Sequence, residues 1–399
     1  TIVPSLDRRL DRAMIVTAAN IYVVPCGNRR GVILELETDA GVSGIGEAGI
    51  GYGAGTTASA EMVAEMVRRW VLGKDPAPVE LIWHTIYDNG FWTKGGGAIS
   101  HAGLSAIDHA LWDIKGKALG VPVHSLFGGP FADSLETYAN GWWIGCDTPE
   151  EYAAAAARTA TRGYRGLKLY PLGVADPVMV VKHPVRRSME RTREQMIVDR
   201  CEAIREAVGP DVEIMLDFGG GLTMDLLVPL IARLEPFDIC FIEEPVDPGL
   251  THLYREVART TRIPLAGGER FYGRTGFHKA FLSGGMAIAQ PDICNTGGFS
   301  ESLKIAAAAE LHNMRVAPHN YGSPLATAVA AQFSAAIPNF MVLETFPDFE
   351  QEPGYNPVIE APLERTIVDG RVPIPTGPGL GVTLDRDAVG PHLRARLTL

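Results

Sequence analysis

Six ionisable residues recur at nearly even intervals in the second half of the chain: Asp217, Glu243, Glu269, Asp292, His319 and Glu344. Read from those numbers, the gaps are 26, 26, 23, 27 and 25 residues. Apolar runs precede them, such as Ile214-Met215-Leu216 before Asp217 and Val342-Leu343 before Glu344. A gap of this size holds one strand, one helix and two loops, so the polar residues recur once per β-α unit at the same end of each strand. Parallel strands closing into a barrel would bring all six to one mouth, the rim at which such barrels carry their chemistry.

The first three are carboxylates on consecutive strands. Three acidic groups brought together repel and need a cation, and an oxygen-only donor set suits a hard ion, Mg2+ ahead of Mn2+ or Ca2+. Asp217, Glu243 and Glu269 are therefore the candidate metal ligands. Lys168, in Gly166-Leu167-Lys168-Leu169-Tyr170, shares a strand face with Tyr170. Beside a metal its pKa should fall, fitting it as a base or as a cation for an oxyanion; a structural ion pair with a neighbouring carboxylate is the alternative. Asp292 and His319 fall on adjacent strands, where an aspartate bonded to one imidazole nitrogen leaves the other free to move a proton. Glu344 either hydrogen-bonds a substrate carboxylate when protonated or partners Lys168.

The elements that must carry these residues follow from periodicity. Strand ends are expected near Tyr138, Lys168, Asp217, Glu243, Glu269, Asp292, His319 and Glu344. Helices are expected over 149–162, 191–208, 224–234, 250–260, 276–284, 300–311 and 324–335. Eight such units make a (β/α)8 barrel. The interval from Lys168 to Asp217 is 49 residues, so 172–193 holds an insertion, basic through Lys182, His183, Arg186, Arg187, Arg191 and Arg193, that could act as a lid or as a solvated or subunit-contacting loop. Before the barrel, Gly31 to Glu47 reads as a hairpin turning at Asp39-Ala40-Gly41, with helical patterns over 60–72 and from Leu104 to Ala118. The expected division is an α+β capping domain over 1–130, a barrel over 131–365, and a Gly/Pro-rich segment over 366–399 that returns to the capping domain.

Composition sets outer bounds. At 399 residues with 46% hydrophobic and 21% charged residues, the chain can bury a large core. A formal net charge of −11 disfavours nucleic acid and anionic membrane surfaces. Five scattered cysteines without a C-x-x-C pair point to reduced thiols. Residues Thr1 to Arg12 lack an apolar signal core and no run is long enough to span a bilayer, so the expected location is the cytoplasm.

With these motifs on the page, the chain resembles the enolase superfamily, in particular its mandelate racemase subgroup, over nearly its whole length. The matching features are Lys168, Asp217, Glu243-Glu244-Pro245, Gly268-Glu269-Arg270, the Asp292-His319 dyad and Glu344. The resemblance implies a Mg2+ enzyme, usually a homodimer or larger symmetric assembly, that removes the proton α to a substrate carboxylate. It departs from the racemases at Tyr170, where a second lysine is usual, and has Gly219 where Asn or His is common. Those departures weaken a two-base racemase, and Gly267 to Arg270 with Pro338-Asn339-Phe340 look most like members that dehydrate acid sugars such as galactonate, mannonate and gluconate. A racemase, epimerase or cycloisomerase on the same metal site is the alternative, and a catalytically retired barrel a third. The resemblance also implies that capping loops, here Cys26 to Arg30, Gly49 to Thr57 and Trp92 to Gly97, close over the distal end of the substrate.

Overall fold

The structure, a computed structural model, describes residues 14–173 and 191–399. The expectations placed on Thr1 to Arg12 and on most of the 172–193 insertion, including Lys182, His183, Arg186 and Arg187, lie outside the described residues.

The N-terminal part is an antiparallel sheet of β1 (Val16–Cys26), β2 (Arg29–Thr38) and β3 (Ser43–Ala48), with Val32 opposite Ala48. Its β2 strand is buried on both faces: Val32, Leu34 and Leu36 join the core under helices α1 (Thr56–Trp70), α2 (Val79–Asn89) and α3 (Ala98–Leu119), whereas Ile33 joins the core of the barrel. The sheet is thus a layer between helices and barrel. Helix α3 lies hard against β3 because Gly44 and Gly46 carry no side chain; a Cβ at either would sit 2.1 Å from the carbonyl of Ala110 or Ala106. A short α4 (Val123–Leu126) leads onward.

Eight parallel strands follow, alternating with helices: β4 (Ser134–Ala139), α5 (Pro149–Ala160), β5 (Gly166–Leu169), α6 (Arg191–Val208), β6 (Glu213–Asp217), α7 (Met224–Leu234), β7 (Ile239–Glu243), α8 (Leu253–Ala258), β8 (Leu265–Gly267), α9 (Gly273–Ser283), β9 (Ile288–Ala289), α10 (Gly298–Leu311), β10 (Arg315–Val316), α11 (Pro324–Ala335) and β11 (Leu343–Thr345). They pair in the order β10-β9-β8-β7-β6-β5-β4-β11, and a parallel bridge from Val316 to Phe340 joins the two ends. This is a modified (β/α)8 barrel. Strand β12 (Arg371–Pro373) pairs antiparallel with β4, and β13 (Leu393–Thr398) pairs antiparallel with β1.

Alternation along the strands decides what faces inward. Tyr138, Met215, Phe241, Ala266 and Ile288 pack together as one buried cluster, while Leu167, Leu169, Ile214, Leu216 and Ile242 face the helices. Two residues beyond Met215 and Phe241 come Asp217 and Glu243, so a charged layer sits directly on the apolar floor of the barrel. Strands β8, β9 and β10 are shorter than expected. Glu269, Asp292 and His319 stand two or three residues past them, because Gly268 has φ 141 and Pro291 and Pro318 lack a ladder N–H. Helix α8 is shorter than its pattern for a similar reason: Leu250 N–H closes a turn on Asp247 O at 2.8 Å before the helix begins.

Candidate active site

The three candidate ligands meet. One oxygen from each of Asp217, Glu243 and Glu269 lies within 4.8 Å of the others. Gly219, in the left-handed region at φ 53, aims its N–H at Asp217 Oδ1 (2.8 Å) and its carbonyl at Arg270 (2.7 Å). Fully buried Glu243 accepts from Lys168 Nζ at 3.0 and 2.8 Å and from Gln290 Nε2 at 2.7 Å. Burial, then the charges of Glu243 and Glu269, push the Asp217 carboxyl well above the ordinary range. Crowding of this kind is relieved by a cation, and a cluster offering only oxygen fits a divalent one.

His319 faces this cluster. Its Nδ1 lies 2.8 Å from Asp292 Oδ2, and Asp292 is itself fixed by Cys294 N–H (2.8 Å) and Asn295 Nδ2 (3.1 Å). With Nδ1 so engaged, Nε2 is the nitrogen turned inward, 3.1 Å from Glu269 Oε2. Burial works against the imidazolium, but Glu269 and the Asp292 hydrogen bond outweigh it and lift the ring to about 10. A cation at the carboxylates would withdraw much of that stabilisation and return the ring toward the basic form.

Lys168 shows the ion pairing that the sequence left as its alternative reading. Its side chain is 1% exposed, pinned between Glu243 and Glu344 at 2.8 Å each, with Nζ 5.3 Å from the centre of the Tyr138 ring. Burial opposes its charge, yet the two carboxylates win and hold its pKa well above the usual value rather than below it. Lys168 is a fixed cation here. Glu344 shows which of its two roles the geometry allows: Oε1 takes Asn140 Nδ2 (2.8 Å) and Lys168, and Oε2 takes the Asn320 N–H (2.8 Å). Despite burial its carboxyl is held low by Lys168 and His319, so it partners lysine instead of donating a proton. Tyr170 borders the same space, and burial followed by the Asp217 charge raises its phenol strongly.

Lys168, Tyr170, Asp217, Glu269 and His319 line a cavity of about 590 Å³ whose lining also includes Asn28 and Tyr52 from the N-terminal part, with Trp143 and Tyr321. The segments Cys26 to Arg30 and Gly49 to Thr57 thus reach the site as expected. Trp92 to Gly97 does not line it; Gly95 to Gly97 border a neighbouring cavity beside Tyr272.

Residues 151–388 match the family described as enolase C-terminal domain-like, and residues 12–128 match the mandelate racemase / muconate lactonizing enzyme N-terminal domain. The chain belongs to the enolase superfamily. Among curated relatives it is 35% identical over 370 residues to a D-galactarolactone cycloisomerase of Agrobacterium fabrum, covering 90% of each chain. It is 34% identical over 381 residues to a D-galactonate dehydratase of Ralstonia nicotianae, covering 94% of each. A candidate dehydratase from Mesorhizobium loti has a solved structure with TM-score 0.93 and 45% identity, covering 96% of this chain and 100% of its own. Members of this superfamily use a divalent metal.

Within this enolase-superfamily site, sequence reasoning passed over several side chains. Gln290 and Asn140 hydrogen-bond Glu243 and Glu344; the one precedes Asp292 by two residues and the other follows Tyr138 by two, so strand phase was the available signal. Arg270 forms an ion pair with buried Glu244 and binds Gly219 O, giving the second acid of Glu243-Glu244-Pro245 a structural partner. All five cysteines are free.

Proposed function

We propose that this enolase-superfamily hydro-lyase dehydrates an acid sugar, an aldonate or related polyhydroxy acid, to a 2-keto-3-deoxy acid. The observation that carries the reading is the His319 imidazole, fixed through Nδ1 by Asp292 with Nε2 turned toward three converging carboxylates. Asp217, Glu243 and Glu269 would hold a divalent cation, Mg2+ in this proposal, which would supply the positive charge that makes the α-hydrogen of a carboxylate substrate more acidic. His319 Nε2 takes that proton, and Asp292 stabilises the imidazolium formed. Lys168 adds a permanent positive charge at the cavity floor, opposite the enediolate left behind. The β-hydroxyl then leaves as water with one proton added, which balances the proton removed, and the enol becomes the keto acid. Tyr170, kept protonated by its surroundings, is the side chain assigned to assist that departure.

The dehydratase relatives support this reading, and the cycloisomerase relative keeps a second one in view, in which the same α-proton transfer opens a lactone without loss of water. Incubating D-galactonate, D-mannonate, D-gluconate and D-galactarolactone with the protein and Mg2+ separates them. A 2-keto-3-deoxy acid from an open-chain acid supports dehydration; an isomer of unchanged mass from a lactone alone refutes it. The protein is further proposed to act in the cytoplasm as a homo-oligomer, dimer to octamer, since closed symmetry is the default for such assemblies; a monomer by light scattering at micromolar concentration would count against that. No helix among the described residues is long and apolar enough to cross a membrane.

A further inference from the structure

The segment that follows His319 is held from outside the barrel. On the barrel side, Glu344 takes the Asn320 N–H. The next three residues are held by a part of the chain nearly 300 residues earlier: Asn28 Nδ2 meets the Tyr321 hydroxyl at 3.1 Å, Arg29 Nη1 donates to Gly322 O, and Glu47 accepts from Ser323 N–H (2.8 Å) and from Ser323 Oγ. Arg29 and Glu47 are 4% and 0% exposed. Two buried polar groups of the N-terminal sheet therefore grip the consecutive residues Gly322 and Ser323. Arg29 is locked in turn, its guanidinium 3.7 Å from the centre of the Phe349 ring. The fit leaves no slack, because a Cβ on Gly322 would sit 2.4 Å from Ala326 Cβ and 2.9 Å from Glu47 Oε1. The helix beyond is buried at every position and cannot drift to absorb a change.

We infer that Glu47, together with Arg29, is a positioning residue for the proposed base: the N-terminal sheet sets where the His319 loop lies over the carboxylate cluster, so the two parts of the molecule assemble one catalytic geometry. This rests on the assignment of His319 above. A displacement of the order of 1 Å in a reacting group can cost about a hundredfold in rate, and removing the Glu47 carboxylate deletes both hydrogen bonds that tie Ser323 to the N-terminal sheet.

The test uses full-length Glu47→Ala, Ser323→Ala and Glu47→Gln with D-galactonate, D-mannonate and D-gluconate as probes, alongside His319→Asn. Glu47→Ala and Ser323→Ala should lower kcat and α-hydrogen exchange in D2O by about tenfold to a hundredfold, with KM and Mg2+ affinity within about twofold of wild type. Glu47→Gln should recover most of the rate, since its amide can accept from Ser323 N–H and donate to Ser323 Oγ. Independently of turnover, the 15N-labelled His319 ring signal should shift or broaden in Glu47→Ala and Ser323→Ala and stay in place in Glu47→Gln. If Glu47→Ala does not fold, Ser323→Ala decides. An unmoved His319 signal, wild-type kcat, or a lower kcat accompanied by a raised KM and weakened metal binding would overturn the inference, whereas full exchange in His319→Asn would overturn the base assignment instead.

Discussion

Replacing Lys168 by Met tests the electrostatic architecture of the site. Lys168 Nζ lies 2.8 Å from an oxygen of Glu243 and of Glu344. At an effective dielectric of 20, each contact is a gross attraction of about 6 kcal/mol, largely offset by desolvation of the ions. Deleting the cation removes the attraction and leaves the desolvation, so the expected loss of stability is about 3–5 kcal/mol, a fall of several degrees in Tm for a chain of this size. The two carboxylates do not share the loss equally. Among the described residues, Glu344 keeps Asn140 and the Asn320 N–H, whereas Glu243 keeps only Gln290. Glu243, already raised by burial with Lys168 as its main counterweight, should therefore hold a proton to higher pH in the variant than in wild type. Stability conferred by a raised carboxyl pKa is present at low pH and lost as pH climbs through the folded value. The variant's deficit relative to wild type should consequently be larger at pH 8 than at pH 5, and its Mg2+ affinity at pH 7 lower, because the proton competes with the ion. Thermal melts of EDTA-treated protein at both pH values, with Mg2+ titration by calorimetry, measure this. An equal deficit at pH 5 and pH 8 with unchanged Mg2+ affinity would refute the reasoning.

Other outcomes follow from the same geometry. EDTA should abolish activity and Mg2+ restore it, and Asp217→Asn should lose metal binding by calorimetry with its circular dichroism spectrum unchanged; full activity in verified metal-free protein would refute the metal assignment. His319→Asn should lower turnover and α-hydrogen exchange in D2O by several orders of magnitude while still binding Mg2+, with Asp292→Asn impaired in the same step; wild-type exchange in His319→Asn combined with loss in Lys168→Met would place the base on the other face. Acid should destabilise the N-terminal part through His101 and His109, which burial lowers to about 4 and about 3. Below pH 6.5 the unfolded chain binds protons that the folded chain refuses, so each costs up to about 1.4 kcal/mol per pH unit. Urea melts from pH 7 to pH 4 should show that slope, and His109→Gln should flatten it.

The barrel was legible because its repeat carries two signals in phase, a buried apolar run and a polar residue at its end; Asp217 and Glu243 close their strands in the structure as they do in the pattern. What escaped was whatever lacked such phase. Strand β1 is buried on both faces, so Val16 to Cys26 shows no alternation to read, and α2 is short and begins beside Pro78 without a side-chain cap. At the site, the choice between the two readings of Lys168 was out of reach of the sequence. Spacing shows that a lysine and a metal cluster share a barrel mouth, but its pKa depends on which carboxylates its nitrogen touches, and Glu344 approaches from 176 positions away in the chain. The Glu47 contact to Ser323 is the extreme case: each residue looks ordinary in its own stretch of sequence, and only the packing of the N-terminal sheet on the barrel gives a buried carboxylate a helix cap to hold. Chemistry that lies along the strands can be read from period; chemistry that depends on one layer seating on another has to be read from the fold.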